Sequence, residues 1–467
     1  MPPAVTSSSS GSLLEVDPLA VELGARFDAA GRQLYLVGGS VRDVILGRDR
    51  EDLDFATDAH PDETIRVIQG WAEHRYLQGI RFGTVGAKKH GHTIEITTFR
   101  KEVYPEDERK PAVTFADDLH VDLSRRDFTV NAMAVRLPTR EFLDPFGGVR
   151  HLSAKVLDTP LDPHVSFGDD PLRMLRAARF AATLDLVPAP RVVAAMRDMA
   201  SRLAIVSAER IREELSRLLV AADPSAGLRL MVDTGLADQF VPELPALRLE
   251  QDPVHRHKDV LAHTVVVVQR CEADLKLRLA ALLHDIGKPA TRAITPEGVQ
   301  FHHHEVVGAR MARERLRALR YSNEVVDDVT KLVEMHLRFH SYKDGWSDSA
   351  LRRYIRDAGA LLDPLNQLVR ADCTTRNAAK AKALAALQDD LELRIARLAE
   401  EENLKELRPP LDGLEVMAHL GIAPGRVVGD ALDHLLELRM ERGPIDKDEA
   451  YRLLDAWAAE QGLAAEA

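Results

Sequence analysis

The stretch LVGGSVRDVILGRDREDLDFAT, residues 36–57, decides how the front of this chain folds. The apolar run Leu34, Tyr35, Leu36, Val37 predicts a buried strand that stops at Gly38 and Gly39. Ser40 follows at the position of an N-cap, and VRDVIL continues as a short amphipathic helix. Beyond the Gly47 break, Asp52-Leu53-Asp54-Phe55-Ala56 predicts a second strand. Alternation puts Asp52 and Asp54 on one face and Leu53 and Phe55 on the other. Two carboxylates pointing the same way repel unless a cation sits between them, and a hard divalent metal takes oxygen ligands. Glycines at a strand-to-helix junction let backbone N–H groups approach an anion, and the helix N-terminus favours negative charge. Arg42, one turn in, adds a charged donor. A lone DxD or a lone GG is usually just a turn. In the order strand, GGSxRD, helix, DxD strand, they read as a triphosphate cradle beside a metal-binding carboxylate pair, the layout of two-metal nucleotidyl transfer.

Outward from this stretch, a helix is expected over 63–73, and RFGTVGAKKHGHTIEITTFR contains a strand over 93–99. Glu95 is the candidate for a third acidic group facing Asp52 and Asp54; the plain alternative is an exposed strand glutamate. Residues 101–124 form a long charged connector with two prolines, of a length uncommon unless functional or disordered. In RRDFTVNAMAV, Arg125 and Arg126 stand before Asp127 and a buried run, placed to reach phosphate or sugar. The segment at 143–148, LDPFGG, is a turn closing the α/β part.

From 160 the sequence turns helical. In FGDDPLRMLRAARFAATL, Asp170, Arg173, Arg176 and Arg179 recur every third residue, so neighbours share a face. Asp169 and Asp170 are expected in the first turn, where the helix dipole favours acids. A carboxylate and a guanidinium side by side match the Watson–Crick edge of a base; a salt-bridged helix surface is the ordinary reading. Arg202, Arg210, Arg212 and Arg217 either form an RNA-backbone stripe or solvate their helices.

GGSVRD, DLDFAT, RRDFTVNAMA and DDPLRMLRAARF resemble the signature segments of bacterial class II tRNA nucleotidyltransferases, the CCA-adding enzymes and their poly(A) polymerase relatives. The resemblance implies an α+β chain: a small mixed-sheet, DNA polymerase beta-like nucleotidyltransferase head, then an all-α neck, an HD domain and a helical tail. It implies Mg²⁺ on Asp52 and Asp54, phosphates at Gly38, Gly39 and Arg42, and the ribose near Arg126 and Asp127. It carries selection of C and A over G and U onto Asp170 and Arg173, and further nucleotide-pocket roles onto Arg176 and Arg179. The family often has Glu where this chain has Asp169. The connector 101–118 resembles the family's flexible loop associated with the terminal A.

A second constellation begins near His255. His263 opens HTVVVVQR, His284 and Asp285 end LRLAALLHDIGKP, and His304, His336 and Asp372 follow. Imidazole and carboxylate at one helix end suit Mn, Fe, Ni, Zn or Mg. The order H…HD…H…H…D resembles the HD-domain metal phosphohydrolases with every ligand position occupied, which implies a divalent metal such as Mn²⁺, Ni²⁺ or Fe²⁺. After 376 come a long helix ending at Pro409-Pro410, a helix–turn–helix unit and a final helix to Ala458. The expected segments are a tail at 1–30, the head at 31–150, the neck at 151–250, the HD domain at 251–375 and the C-terminal helical tail at 376–467.

Composition sets the outer bounds. At 467 residues, 45% hydrophobic and 29% charged, the chain is an ordinary globular protein of several domains. Two cysteines, Cys271 and Cys373, exclude a disulfide scaffold and fit a reducing compartment. MPPAVTSSSSGS reads as a disordered tail without the layout of a secretory signal, and no stretch approaches a membrane span, so the expected place is the cytoplasm. A net charge of −12 argues against indiscriminate nucleic-acid coating but allows a local basic groove. The expected partners are tRNA, ATP and CTP, with no membrane and no DNA. The expected reaction is template-independent addition of C, C and A to a tRNA 3′ end. The alternatives are poly(A) synthesis, addition of only CC or only A, an HD phosphohydrolase with a nucleotide-sensing head, or an inert RNA-binding scaffold.

Overall fold

The computed structural model describes residues 14–48, 52–103, 112–115, 118–249, 259–295, 298–375, 377–402 and 408–463. His255 and most of the N-terminal tail lie outside them, as do residues 104–111 and 116–117 of the connector. The chain divides into two compact units, Met1–Pro245 and Ala246–Ala467.

The first unit opens with α1 (Pro18–Ala29), whose Asp17 side chain accepts from the Leu19 N–H at 2.7 Å. Pro18 at its first position supplies a preset φ. The helix buries Leu19, Ala20, Leu23 and Phe27; full burial of Leu23 and Phe27 is worth roughly 2–3 kcal/mol each. Then follow β1 (Leu34–Val37), α2 (Gly39–Ile45), β2 (Asp52–Thr57), α3 (Pro61–Val67), β3 (His74–Tyr76), β4 (Thr84–Lys89) and β5 (His92–Thr98). A hairpin of β6 (Arg100–Val103) and β7 (Ala112–Phe115) leads to α4 (Leu119–Ser124), β8 (Ala134–Leu137) and β9 (Glu141–Leu143). The main sheet has the order β3-β4-β5-β2-β1-β8-β9, with β2 and β5 parallel and the other pairs antiparallel. One face, carrying Leu36, Leu53, Phe55, Val85, Ile94 and Ile96, packs into the main core with α1. On the opposite face Tyr35, Val37 and Ala56 join a smaller cluster with Phe99 and Leu123.

The helical remainder of this unit comprises α5 (Gly148–Ser153), α6 (Pro163–Asp169), α7 (Leu172–Thr183), α8 (Pro190–Met199), α9 (Ala208–Leu219) and α10 (Ser225–Asp233). A short parallel pair, β10 (Val156–Leu157) with β11 (Val187–Pro188), interrupts the expected all-helical stretch.

Three local expectations change. Ser40 does not cap α2, because Gly38 holds that position and Ser40 lies inside the helix. The helix expected over 63–73 is only α3, entered through a capping box between His60 and Glu63. Its last residues turn so that Ile68 and Trp71 enter the core and the Glu73 N–H meets the Lys88 carbonyl at 2.9 Å. Asp169 and Asp170 are not in a first turn: Asp169 ends α6, and Asp170 is extended at φ −142°, ψ 100° between two helices.

The second unit contains α11 (Val260–Arg270), α12 (Leu275–Leu283), α13 (Lys288–Thr291), the hairpin β12 (Arg292–Thr295) and β13 (Gly298–Phe301), α14 (His304–Ala318) and α15 (Asn323–Met335). It continues through α16 (Asp348–Ala358), α17 (Leu362–Asp372) and α18 (Ala378–Glu402). Its last helices, α19 (Gly413–Leu420), α20 (Arg426–Arg442) and α21 (Lys447–Glu460), share a core of Val416, Leu435, Leu454 and Trp457. Among the described residues no helix is long and apolar enough to cross a membrane.

Candidate active site and metal centre

The turn between β1 and α2 is shaped by Gly38 at φ +72°. A Cβ there would lie 2.8 Å from Arg126 Nη1 and 3.9 Å from Asp54 Oδ2, so glycine supplies both the left-handed backbone and the room for a guanidinium. Gly39 opens the helix. Ser40 ties that helix to the next strand: its Oγ accepts from the Asp54 N–H at 3.0 Å and donates to the Asp52 carbonyl at 3.3 Å. The glycine turn and the carboxylate strand are thereby fixed together.

Asp54 pairs directly with Glu95 in the β2–β5 register, and Asp52 pairs with Thr93. Register partners share a sheet face, so three carboxylates stand on one side, with Leu53 and Phe55 in the core on the other. Burial first, then the charges of Asp54 and Asp52, push the Glu95 carboxyl above its usual range. Arg126 Nη2 donates to Asp122 Oδ2 at 3.1 Å, while its Nε is buried without a hydrogen-bond partner among the described residues.

The same unit holds a chain of linked charges. Arg42 is only 4% exposed. It donates to Asp43 at 2.9 and 3.1 Å and to Asn131 Oδ1 at 2.6 Å. Asn131 Nδ2 donates to Asp127 Oδ1 at 2.9 Å, and Arg176 donates twice to Asp127 Oδ2, at 2.8 and 2.5 Å. Arg179 Nε donates to Glu214 Oε2 at 2.6 Å. Arg42, Arg176 and Arg179 lie 5.5, 5.6 and 4.1 Å from the centre of the Phe180 ring, whose π face offsets some of their mutual repulsion. Burial alone would raise the Asp127 carboxyl; Arg176 and Asn131 overcome it and hold the group well below the usual carboxylate range.

Asp170 and Arg173 do not pair through their side chains. Asp170 caps the turn into α7, accepting from the Leu172 N–H at 3.1 Å, and its other oxygen accepts from Arg210 at 2.7 Å. Arg173, 8% exposed, donates to Ser166 Oγ at 2.8 Å and to the Arg125 carbonyl at 2.7 Å. Of the arginines suggested as an RNA stripe, Arg210 is thus taken up by Asp170, and Arg202 approaches the Gly168 carbonyl at 3.4 Å.

In the second unit, four imidazoles converge. Their Nδ1 atoms all have partners: His284 meets the Ala281 carbonyl at 2.8 Å, His304 that of Phe301 at 2.9 Å, His336 that of Val333 at 2.6 Å, and His263 the Thr374 hydroxyl at 2.7 Å. A carbonyl on Nδ1 requires the N–H there and leaves Nε2 as a lone pair. Asp285 Oδ2 lies 3.2 Å from His284 Nε2 and 3.7 Å from His263 Nε2, while Oδ1 lies 3.4 Å from His304 Nε2. Asp372 Oδ1 lies 2.9 Å from His263 Nε2. The Nε2 atoms of His304 and His336 are buried with no hydrogen-bond partner among the described residues. Burial, then the charge of His284, pushes His336 down to about 3, which keeps it neutral, as a metal ligand must be. Lys288 donates to Asp285 Oδ2 at 2.7 Å.

Residues 34–158 match the poly(A) polymerase head domain, 185–247 the probable RNA and SrmB-binding site of polymerase A, and 260–402 the HD domain. An A-adding tRNA nucleotidyltransferase of Deinococcus radiodurans is 34% identical over 91% of this chain and 95% of its own. The chain belongs to the tRNA nucleotidyltransferase and poly(A) polymerase family.

Within that family, a CCA-adding enzyme of Lacticaseibacillus paracasei is 41% identical over 49% of this chain and 56% of its own length. The fold is similar to that of the Bacillus stearothermophilus CCA-adding enzyme, solved with CTP, which superposes with a TM-score of 0.70 at 23% identity, covering 96% of this chain and 99% of that one.

The residues singled out from the sequence gather into two sites. Asp52, Asp54, Glu95, Gly38 and Arg126 form one cluster, in the same unit as the charge chain of Asp127, Arg176 and Arg179; the six HD residues form the other. Arg42, expected as a phosphate donor, is held inside the protein by Asp43 and Asn131. Sequence reasoning missed Asn131, Glu214, Asp122 and Thr374. Asn131 stands one turn from Asp127 in RRDFTVNAMA, so its signal was available. Glu214 sits among the apolar positions of α9, where an acid flanked by Ile211, Leu215 and Leu218 was the clue to a buried partner.

Proposed function

We propose that this enzyme adds C, C and A to the 3′ end of tRNA, using CTP and ATP. The observation that carries the reading is the row of Asp54, Glu95 and Asp52 on one strand face beside the Gly38 turn. Three carboxylates on one sheet face, with Glu95 pushed up by burial and by the charges of the other two, fit a hard divalent cation, and Mg²⁺ is assigned to Asp52 and Asp54 with Glu95 as the third acid. Bound there, the metal supplies positive charge that lowers the pKa of the RNA 3′-hydroxyl and stabilises the departing pyrophosphate. Gly38, Gly39 and the N-terminus of α2 receive the triphosphate, with Arg126 as counter-charge. The 3′-oxygen attacks the α-phosphorus; the new O–P bond forms as the bond to pyrophosphate breaks, and no residue becomes covalent. Asp127, anchored by Arg176, sits near the ribose, whose 2′-hydroxyl marks RNA. Asp170 and Arg173 read the base from two separate anchors, backed by Arg176 and Arg179. A tRNA substrate and two free cysteines support a cytoplasmic location.

Purified protein incubated with tRNA lacking its end, with labelled CTP and ATP, tests this. Stepwise addition that stops after three nucleotides supports it. A long A tail reassigns the enzyme as a poly(A) polymerase. Addition of A alone matches the name of the Deinococcus relative, and addition of CC alone makes it the other half-enzyme.

A second activity is favoured by the two orphaned imidazole nitrogens. Asp285 turns one oxygen to His284 and His263 and the other to His304, a donor set that fits divalent transition metals such as Mn²⁺, Ni²⁺ or Fe²⁺. Such a centre hydrolyses phosphate esters with metal-activated water. Metal analysis of the purified protein, together with ring opening of 2′,3′-cyclic nucleotides to monophosphates and phosphate release from 2′-nucleotides, tests it; no retained metal and no hydrolysis overturns it.

A further inference from the structure

The carboxylate row does not end at Glu95. In register across the sheet, Asp54 of β2 pairs with Glu95 of β5, Glu95 with Gly86 of β4, and Gly86 with Tyr76 of β3. Residues paired this way project from one face, so Tyr76 stands on the side of the sheet that carries the carboxylates, about 14 Å along from Asp54 at strand spacing. Gly86 leaves the gap into which the tyrosine leans: a Cβ there would lie 3.3 Å from Tyr76 Cβ and 3.4 Å from its ring. The ring stays 40% exposed although it is aromatic, and Lys88 Nζ lies 6.0 Å from its centre. His74 and Lys88, paired two residues along the same strands, are exposed on the same face. An exposed aromatic beside a lysine and an imidazole is a combination that binds single-stranded nucleic acid by stacking.

Direction decides which strand it takes. Gly38 and Arg126, which would receive the incoming triphosphate, lie on the β1 side of Asp54; Tyr76 lies on the β5 side. In-line displacement puts the attacking oxygen opposite the leaving pyrophosphate. The RNA end must therefore arrive over β5 and β4, the path that leads to Tyr76.

We propose that Tyr76 is a binding residue for the acceptor strand, stacking on the base that precedes the reacting 3′ nucleotide while Lys88 and His74 contact the adjoining phosphates. This rests on the nucleotidyl-transfer reading above. The test uses the full chain with Tyr76→Leu, which keeps an apolar cover over Gly86 but has no π face, and Tyr76→Trp, which restores one. With tRNA carrying 2-aminopurine at the penultimate position, the wild type and Tyr76→Trp should quench the probe on binding, and Tyr76→Leu should not. In steady state, Tyr76→Leu should raise KM for the RNA roughly five- to a hundredfold, leaving KM for CTP and ATP within twofold. Tyr76→Leu that quenches and turns over like the wild type overturns the proposal, as does a rise in nucleotide KM alone. A wild type that adds no nucleotide to any RNA overturns the transfer reading itself, an outcome visible before any variant is made.

Discussion

The charged side chains of the first unit are individually committed, which makes single substitutions informative. Replacing Asp52 or Asp54 with Ala should lower nucleotide addition by on the order of a thousandfold or more in a labelled-CTP assay, while melting temperature changes little because both side chains reach solvent. Asp127 is different. Its carboxylate is buried against Arg176 and Asn131, so Asp127→Asn should destabilise the first unit by about 3 kcal/mol as well as impair addition, since it strands buried cationic charge. The pH dependence has a definite sign. Asp127 titrates lower in the folded protein than its ordinary 3.8, so its stabilisation is complete above pH about 4 and is lost as pH falls through the depressed value. Denaturant titrations from pH 5 down to 2 should show a steeper loss for the wild type than for Asp127→Asn. Cys271, whose thiol burial pushes up to about 12, should resist thiol reagents at pH 8 until the protein is unfolded.

The elements show where sequence alone is sufficient. β1 and β2 follow from short apolar and alternating runs, and α7, α12 and α15 from helical periodicity, because each pattern is the local consequence of one buried face. The HD ligands were legible for a related reason: His284, His336 and Asp372 close apolar helices, and His304 opens one. What escaped depended on contacts distant in sequence. β3 has three exposed residues and no alternation to reveal it; it forms because β4 offers an edge. The break at Asp170 follows from Pro171, which pushes the residue before it out of the helical region; what escaped there is the partner of its carboxylate, Arg210, forty residues on. Ser40 looked like a cap because Ser after glycines usually is one, yet its hydroxyl ties α2 to β2. Ser40→Ala should therefore cost about 1–3 kcal/mol by leaving the Asp54 N–H unsatisfied, and it should lower kcat for addition more than it raises nucleotide KM, because it loosens the strand that carries the acids.

At the scale of the molecule, the first unit carries the carboxylate row over its own core, and the second carries the imidazole and carboxylate cluster. Asp127→Asn should shift only the part of a calorimetric unfolding trace that belongs to the first unit. Removing bound metal with a chelator that spares magnesium should shift only the part belonging to the second. The ring of Phe180, with three guanidiniums around it and acids on their far sides, has a consequence for descent as well as for stability. Glu214 answers to two of these cations, Arg179 and, at 3.6 Å, Arg176, so drift at the acid leaves both without a counterpart. Homologues that have lost the acid equivalent to Glu214 should have altered both arginines in step, so this quarter of the enzyme changes by linked replacement while exposed positions elsewhere wander one at a time.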